Sequence, residues 1–72
     1  MNDIIISRVK NEWPDADVTL TFIKEASYGL EVATSAFQGL SRLSQQKMLM
    51  ALFSEEFRNG ELHALTLKTI AK

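Results

Sequence analysis

The change in hydrophobic periodicity along the chain is the feature that most limits its fold. Apolar residues recur at helical spacing in residues 3–13 and 41–58, and they alternate with other residues in residues 17–24, 28–34 and 63–70. Period two with β-branched residues predicts strands with one buried face. A strand that follows a helix should lie parallel to its neighbour, through a right-handed crossover. We therefore predict an α+β fold of order α-β-β-α-β, with a three-stranded mixed sheet and both helices on one face.

The ends of the predicted elements carry recognisable signals. Asn2 or Asp3 is expected to cap the first helix, and Ser41 is expected to cap the second. Pro14 disfavours a helical backbone at the preceding residue and should end the first helix there. Asn59 and Gly60 together are typical of a helix C-terminus, so the second helix should end at residue 58.

The apolar positions that these periodicities bring to one side predict the core. At 46% hydrophobic content, a chain of 72 residues can build one such core, so residues 1–72 are interpreted as a single domain. The broad apolar face of the second helix is expected to touch both the sheet and the first helix. The predicted core residues are Ile5, Ile6, Val9, Trp13, Val18, Leu20, Phe22, Leu30, Val32, Met48, Leu49, Met50, Leu52, Phe53, Phe57, Leu65 and Leu67.

The chain contains no cysteine, which limits both its stabilisation and its chemistry. Disulfide bonds are excluded, and so is any thiolate metal site made by this chain alone. Small secreted domains usually need such bonds, so a cytoplasmic location is expected. The three isoleucines of residues 4–6 are followed at once by serine and arginine, which is too short a run for a signal peptide or a membrane span.

The charge and glycine patterns argue against the commonest nucleic-acid and enzymatic functions. The net charge is −1 and the isoelectric point is about 5.7, whereas sequence-independent nucleic-acid binders usually carry a basic excess. Gly29, Gly39 and Gly60 are the only glycines, and no two of them form the Gly-x-x-Gly pair that clamps a nucleic-acid backbone. With one histidine and no cysteine, no nucleophile constellation is visible, and an enzyme is not predicted.

Three segments resemble the BolA-like family. They are residues 37–43 (FQGLSRL), the pair Glu55 and Glu56, and residues 60–69 (GELHALTLKT), of which the last is the most specific. The predicted element order also resembles the fold of that family, which is related to class II KH domains. The resemblance implies a BolA-like adaptor that partners a monothiol glutaredoxin in iron–sulfur cluster or iron homeostasis.

In that family the two partners share a [2Fe–2S] cluster, and the resemblance carries one ligand position to this chain. The histidine that opens the last strand of the family corresponds to His63. Mixed cysteine and histidine ligation is chemically reasonable, since imidazole raises the potential of a cluster relative to thiolate. The alternative interpretation of His63 is a polar side chain at the entrance to a strand, hydrogen-bonded to the nearby backbone.

The second family ligand, a histidine or cysteine in the loop between the first two strands, is absent here. That connection contains Lys24, Glu25 and Ser27, and His63 is the only histidine of the protein. The chain alone is therefore predicted to bind no cofactor, and any cluster would be shared with glutaredoxin and glutathione. The family's partner surface implies contacts at Lys24, Glu25, Ser27 and His63.

The alternative function is a nucleic-acid-binding transcriptional regulator that uses the second helix. It would depend on Arg42 and Lys47, which are about 140° apart around a helix and form no tight stripe. These side chains are otherwise ordinary solvated charges. Local basic density on one face would favour this alternative, whereas His63 favours the adaptor.

Overall fold

The computed structural model describes residues 1–72 and confirms the predicted order, with the second helix divided in two. Because the longest of these helices has 11 residues, none is long and apolar enough to cross a membrane. The elements are α1 (Asn2–Glu12), β1 (Asp17–Lys24), β2 (Ser27–Thr34), a 3₁₀ turn (Ser35–Phe37), α2 (Arg42–Ala51), α3 (Ser54–Asn59) and β3 (Ala64–Ala71).

The three strands form one mixed sheet in the order β1-β2-β3. β1 and β2 pair antiparallel with Leu20 opposite Leu30, and β2 and β3 pair parallel with Leu30 opposite Leu67. The parallel pairing of β3 is the one expected for a strand that follows a helix. β1 and β3 are consequently the two edge strands.

One face of this sheet is buried and the other is open. Alternate residues of β2 are buried, whereas Gly29 and Glu31 point to the other face, where Thr21 and Thr66 are exposed. α1 and α2 therefore lie on the same side of the sheet, as predicted. Eleven hydrophobic residues form the one core cluster: Ile5, Val9, Trp13, Ala16, Tyr28, Leu30, Val32, Phe37, Leu49, Phe53 and Leu62.

The predicted helix over residues 41–58 is interrupted, which corrects the sequence-based prediction. α2 ends at Ala51, and Phe53 adopts φ −120° and ψ 15° before α3 begins at Ser54. The interruption leaves the Leu52 carbonyl without a helical partner, and Arg8 of α1 donates to it at 2.8 Å. Because Phe53 is fully buried at this point, its burial and the contact with α1 together outweigh the local preference for a continuous helix.

Arg8 also forms an ion pair that connects α1 to α3. Its guanidinium lies 2.5 Å from Glu56 Oε1, and its Cζ lies 5.4 Å from the ring centroid of Phe53. The hydrogen bond with Glu56 raises the pKa of the Arg8 guanidinium, and the same bond lowers the pKa of the Glu56 carboxyl. A charged pair is thus held between the first helix and the third.

Two further details differ from the sequence-based expectations. Neither Asn2 nor Asp3 caps α1, because the helix already begins at Asn2 and Met1 occupies the N-cap position. Met1 packs against the core, which places the start of the helix one residue early. Two residues of the predicted core are exposed: Phe22 to 64% and Met48 to 37%. Phe22 lies near the hairpin end of an edge strand, in edge-to-face contact with Tyr28.

Asp15 joins the turn before β1 to the end of β2 and to the last residue. Its carboxylate accepts hydrogen bonds from Thr34 Oγ1 at 2.5 Å and from the Ser35 amide at 2.9 Å, and its carbonyl accepts one from Lys72 Nζ. The hydrogen bonds from Thr34 and Ser35 lower the pKa of Asp15 to about 2. Since they stabilise the ionised form, this corner of the fold depends on a charged Asp15.

Candidate functional site

The turn between β1 and β2 and the entrance to β3 lie side by side. The pairing of β1 with β2 reaches Lys24 opposite Ser27, so Glu25 and Ala26 form the tip of the hairpin. The Ala26 carbonyl accepts hydrogen bonds from the backbone amides of His63 at 2.7 Å and of Ala64 at 3.3 Å. These bonds hold His63 beside the hairpin tip, where the resemblance had implied a partner surface.

We call this surface the hairpin rim and define it by Lys24, Glu25, Ala26 and His63. Lys24, Glu25 and His63 are exposed, and the imidazole of His63 forms no hydrogen bond within the chain. Ser27 is 3% exposed, because it lies inside the sheet between Lys24 and Ala64. A partner can therefore reach the side chains of Lys24, Glu25 and His63 directly. It cannot reach the side chain of Ser27, which was expected to contact the partner.

Ala26 determines the tight approach of the hairpin tip to β3. Its φ is 61°, in the left-handed region that residues other than glycine rarely adopt. This conformation closes the two-residue tip and directs the Ala26 carbonyl towards the His63 and Ala64 amides. The short loop thus places His63 next to the hairpin without supplying a second imidazole or thiolate.

The ligand set of the hairpin rim is incomplete for a metal centre. No group of three or more His, Cys, Asp or Glu side chains in the chain could hold a metal ion. Glu25 is the one carboxylate of the rim, and oxygen ligands suit the iron of an iron–sulfur cluster poorly. The rim therefore offers one imidazole as a ligand for a cluster, and any further ligands would have to come from another molecule.

A second surface runs between α2 and the edge strand β3, and we call it the β3 groove. Leu43, Gln46, Lys47, Met50, Leu65 and Leu67 line a cavity of about 350 Å³. Arg42, Gln46, Leu67, Lys68, Thr69 and Ile70 line an adjoining cavity of about 580 Å³. Because Gln46 and Leu67 belong to both, the two cavities form one continuous groove.

The β3 groove brings together the cations on which the nucleic-acid alternative depends. Arg42 and Lys47 belong to its two halves, and Lys68 of β3 lines the larger half together with Arg42. Residues of α2 and β3 come together here, so this group of cations could not be recognised from the helix alone. Its walls carry three cations and no acidic residue, in a chain whose net charge is −1.

Gln45 connects α2 by hydrogen bonds to the segment before the helix and to β3. The sequence did not indicate this role. Its amide nitrogen donates to the carbonyls of Phe37 at 3.1 Å and Leu40 at 3.0 Å. Its amide oxygen accepts a 2.6 Å hydrogen bond from the hydroxyl of Thr69 on β3. A glutamine among polar neighbours carries no sequence signal for burial, so only the tertiary contacts identify this residue.

The architecture and the hairpin rim define a small α+β domain of the BolA-like type. A family model described as BolA-like protein matches residues 7–72, and the chain belongs to this family. A protein of Rickettsia prowazekii, RP812, is 31% identical over 65 residues, which are 88% of this chain and 83% of the relative. A protein of Haemophilus influenzae is 39% identical over 46 residues, covering 64% of this chain and 54% of that protein.

Solved structures show the same fold. BolA1 from Arabidopsis thaliana superposes with a TM-score of 0.81 at 16% identity, covering 94% of this chain and 87% of that one. The BolA domain of SufE1 from the same plant gives a TM-score of 0.82 at 22% identity, covering 92% and 85%. The NMR structure of RP812 gives a TM-score of 0.72 at 28% identity, covering 97% and 92%. The resemblance noted in residues 37–69 is thereby confirmed at the level of family and fold.

Proposed function

We propose that this chain is a non-enzymatic BolA-like adaptor that binds a monothiol glutaredoxin and acts in iron–sulfur cluster or iron homeostasis. Membership of the BolA-like family supports this function. The observation that carries it is the position of His63, whose backbone amide donates to the Ala26 carbonyl and whose imidazole is exposed beside the hairpin tip.

Within this proposal the polar residues of the hairpin rim have different roles. One imidazole nitrogen of His63 is available to contact a cluster carried by the partner, because no hydrogen bond within the chain occupies it. Lys24 and Glu25 contact the partner protein. Since this chain supplies one ligand, contacts between the two proteins contribute more to the affinity than shared ligation.

Anaerobic reconstitution with a monothiol glutaredoxin and glutathione tests the proposal. Visible absorption and circular dichroism of the loaded glutaredoxin should change when the wild-type chain is added. His63→Ala should abolish that spectral change and weaken binding to the loaded partner. Thr66→Ala is the control, because Thr66 is exposed on the open face of β3, the strand that follows His63. This variant should behave like the wild type.

Folding of His63→Ala provides the second part of this test. We expect a loss of less than about 0.5 kcal/mol in the free energy of unfolding, because the side chain is exposed and alanine keeps the backbone hydrogen bond to Ala26. A loss above about 2 kcal/mol would instead indicate a structural role. Equal binding of wild type and His63→Ala to the loaded glutaredoxin would refute the ligand role.

The chain alone should bind neither iron nor zinc with useful affinity. A good tetrahedral site needs four imidazole or thiolate ligands, and this chain has one imidazole. Elemental analysis of the protein purified without a partner measures this directly. Stoichiometric metal that survives mild chelation would contradict the expectation and would point to a ligand set beyond His63.

Nucleic-acid binding is a second candidate function, favoured by the three cations of the β3 groove. Arg42 and Lys47 would contact phosphates there. We expect affinity for generic strands no tighter than roughly 10⁻⁴ to 10⁻⁶ M at physiological salt, since few phosphates can be neutralised. A sequence-selective complex of submicromolar affinity, measured by fluorescence anisotropy, would establish the regulator over the adaptor.

A further inference from the structure

We propose that the β3 groove binds an extended acidic peptide segment of a partner protein, which adds to the sheet as a fourth strand beside β3. This proposal is independent of the glutaredoxin interaction, because the hairpin rim is a separate surface. It rests on three features of the groove: a free strand edge, an aliphatic floor and two cations, Arg42 and Lys47, that form no ion pair within the chain.

The outer edge of β3 presents backbone groups that the protein leaves unpaired. The amides of Ala64 and Lys72 donate towards β2, to the carbonyls of Ala26 and Thr34. Because backbone groups alternate sides along a strand, those of Leu65, Leu67 and Thr69 point away from β2. No fourth strand pairs with them. An extended peptide can satisfy these groups by strand addition.

The side chains along that edge select the peptide chemistry. Leu43, which is 61% exposed, lines one half of the groove with Met50 and Leu65. A strand laid along the edge would direct alternate side chains onto this aliphatic surface. Every second residue of the ligand should therefore be aliphatic.

The charges select the remaining residues of the ligand. Arg42 and Lys47 form no ion pair within the chain, and Lys68 has only a 3.6 Å pair with the part-exposed Glu31. No acidic residue lines the groove, so carboxylates of a peptide would meet cations alone. Charge complementarity thus favours a segment that carries aspartate or glutamate as well as aliphatic residues.

A peptide fits this groove better than a nucleic acid does. No aromatic ring lines either half, so bases have no surface on which to stack. The aliphatic floor and the free backbone groups match a polypeptide strand, whereas phosphates would use only the cations.

Amide hydrogen exchange by NMR on the full chain tests the proposal. The probe is a short acetylated and amidated peptide of alternating valine and glutamate, with a valine–lysine peptide and single-stranded oligothymidylate as comparisons. Binding of the valine–glutamate peptide should slow exchange of the Leu65, Leu67 and Thr69 amides. The valine–lysine peptide should produce no such protection.

Charge variants provide the matched comparison. Arg42→Gln combined with Lys47→Gln should weaken peptide binding about fivefold, as expected for two exposed ion pairs. Lys10→Gln combined with Arg58→Gln removes the same charge outside the groove and should leave binding unchanged.

Several results would overturn the proposal. One is the absence of valine–glutamate binding, and another is binding without protection of the three amides. Equal affinity of the two double variants would also overturn it. Binding of oligothymidylate alone, with shifts confined to groove side chains, would assign the groove to nucleic acid instead.

Discussion

Replacing Gln45 with leucine tests whether the buried amide is what holds α2 against β3. Leucine keeps most of the side-chain volume but removes the hydrogen bonds with Phe37, Leu40 and Thr69. At about 1 kcal/mol each, the loss of three hydrogen bonds should reduce the free energy of unfolding by about 3 kcal/mol. A chain of this size has roughly 4 to 10 kcal/mol in total, so Gln45→Leu should fold with much reduced stability.

Urea unfolding followed by circular dichroism measures this loss. With a slope of about 1 kcal/mol per M, the midpoint should fall by about 3 M relative to the wild type. Gln46→Leu is the matched control, because it is the same substitution at the next residue. The side chain of Gln46 forms no hydrogen bond within the chain. Its free energy of unfolding should lie within about 0.5 kcal/mol of the wild type.

A double-mutant cycle with Thr69→Val separates the hydrogen bond from general packing. Thr69→Val alone should cost about 1 kcal/mol, because it leaves the Gln45 amide oxygen unpaired. In the Gln45→Leu background the same change should cost almost nothing, giving a coupling of about 1 kcal/mol. Additive effects, or a Gln45→Leu loss below about 1 kcal/mol, would refute the argument.

Two further predictions concern stability. The pKa of about 2 for Asp15 lies below its ordinary value of 3.8, so the ionised carboxylate stabilises the fold above about pH 4. That contribution should disappear as pH falls towards 2, and thermal unfolding of Asp15→Asn should lack this part of the acid dependence; parallel curves would contradict it. Gly60 has φ +84°, so Gly60→Ala should lose about 1 kcal/mol in urea unfolding. Gly29→Ala, whose Cβ would meet Thr21 at an ordinary 3.7 Å, should be nearly neutral, and equal losses would argue against backbone strain at Gly60.

Local periodicity and end signals determined the secondary structure where short-range preferences and burial agree. α1 ends just before Trp13 and Pro14, as the proline predicts. The hydroxyl of Ser41 accepts a hydrogen bond from the Ser44 amide at 3.1 Å and so caps α2. Gly60 ends α3 in the left-handed conformation. These outcomes follow from interactions within a few residues, which is why the order of elements was predictable.

Only the tertiary structure decided the features that depend on distant parts of the chain. Arg8 reaches the Leu52 carbonyl and Glu56 across 44 and 48 residues, at a helix break that no local signal marks. Gln45 forms a hydrogen bond with Thr69 on β3, and Lys68 and Arg42 line the same cavity. The family motif identified His63 in the sequence, but its place beside the hairpin tip follows from how β3 pairs with β2. Sequence spacing does not encode such contacts, because packing of the α2 and β3 surfaces determines which polar groups meet.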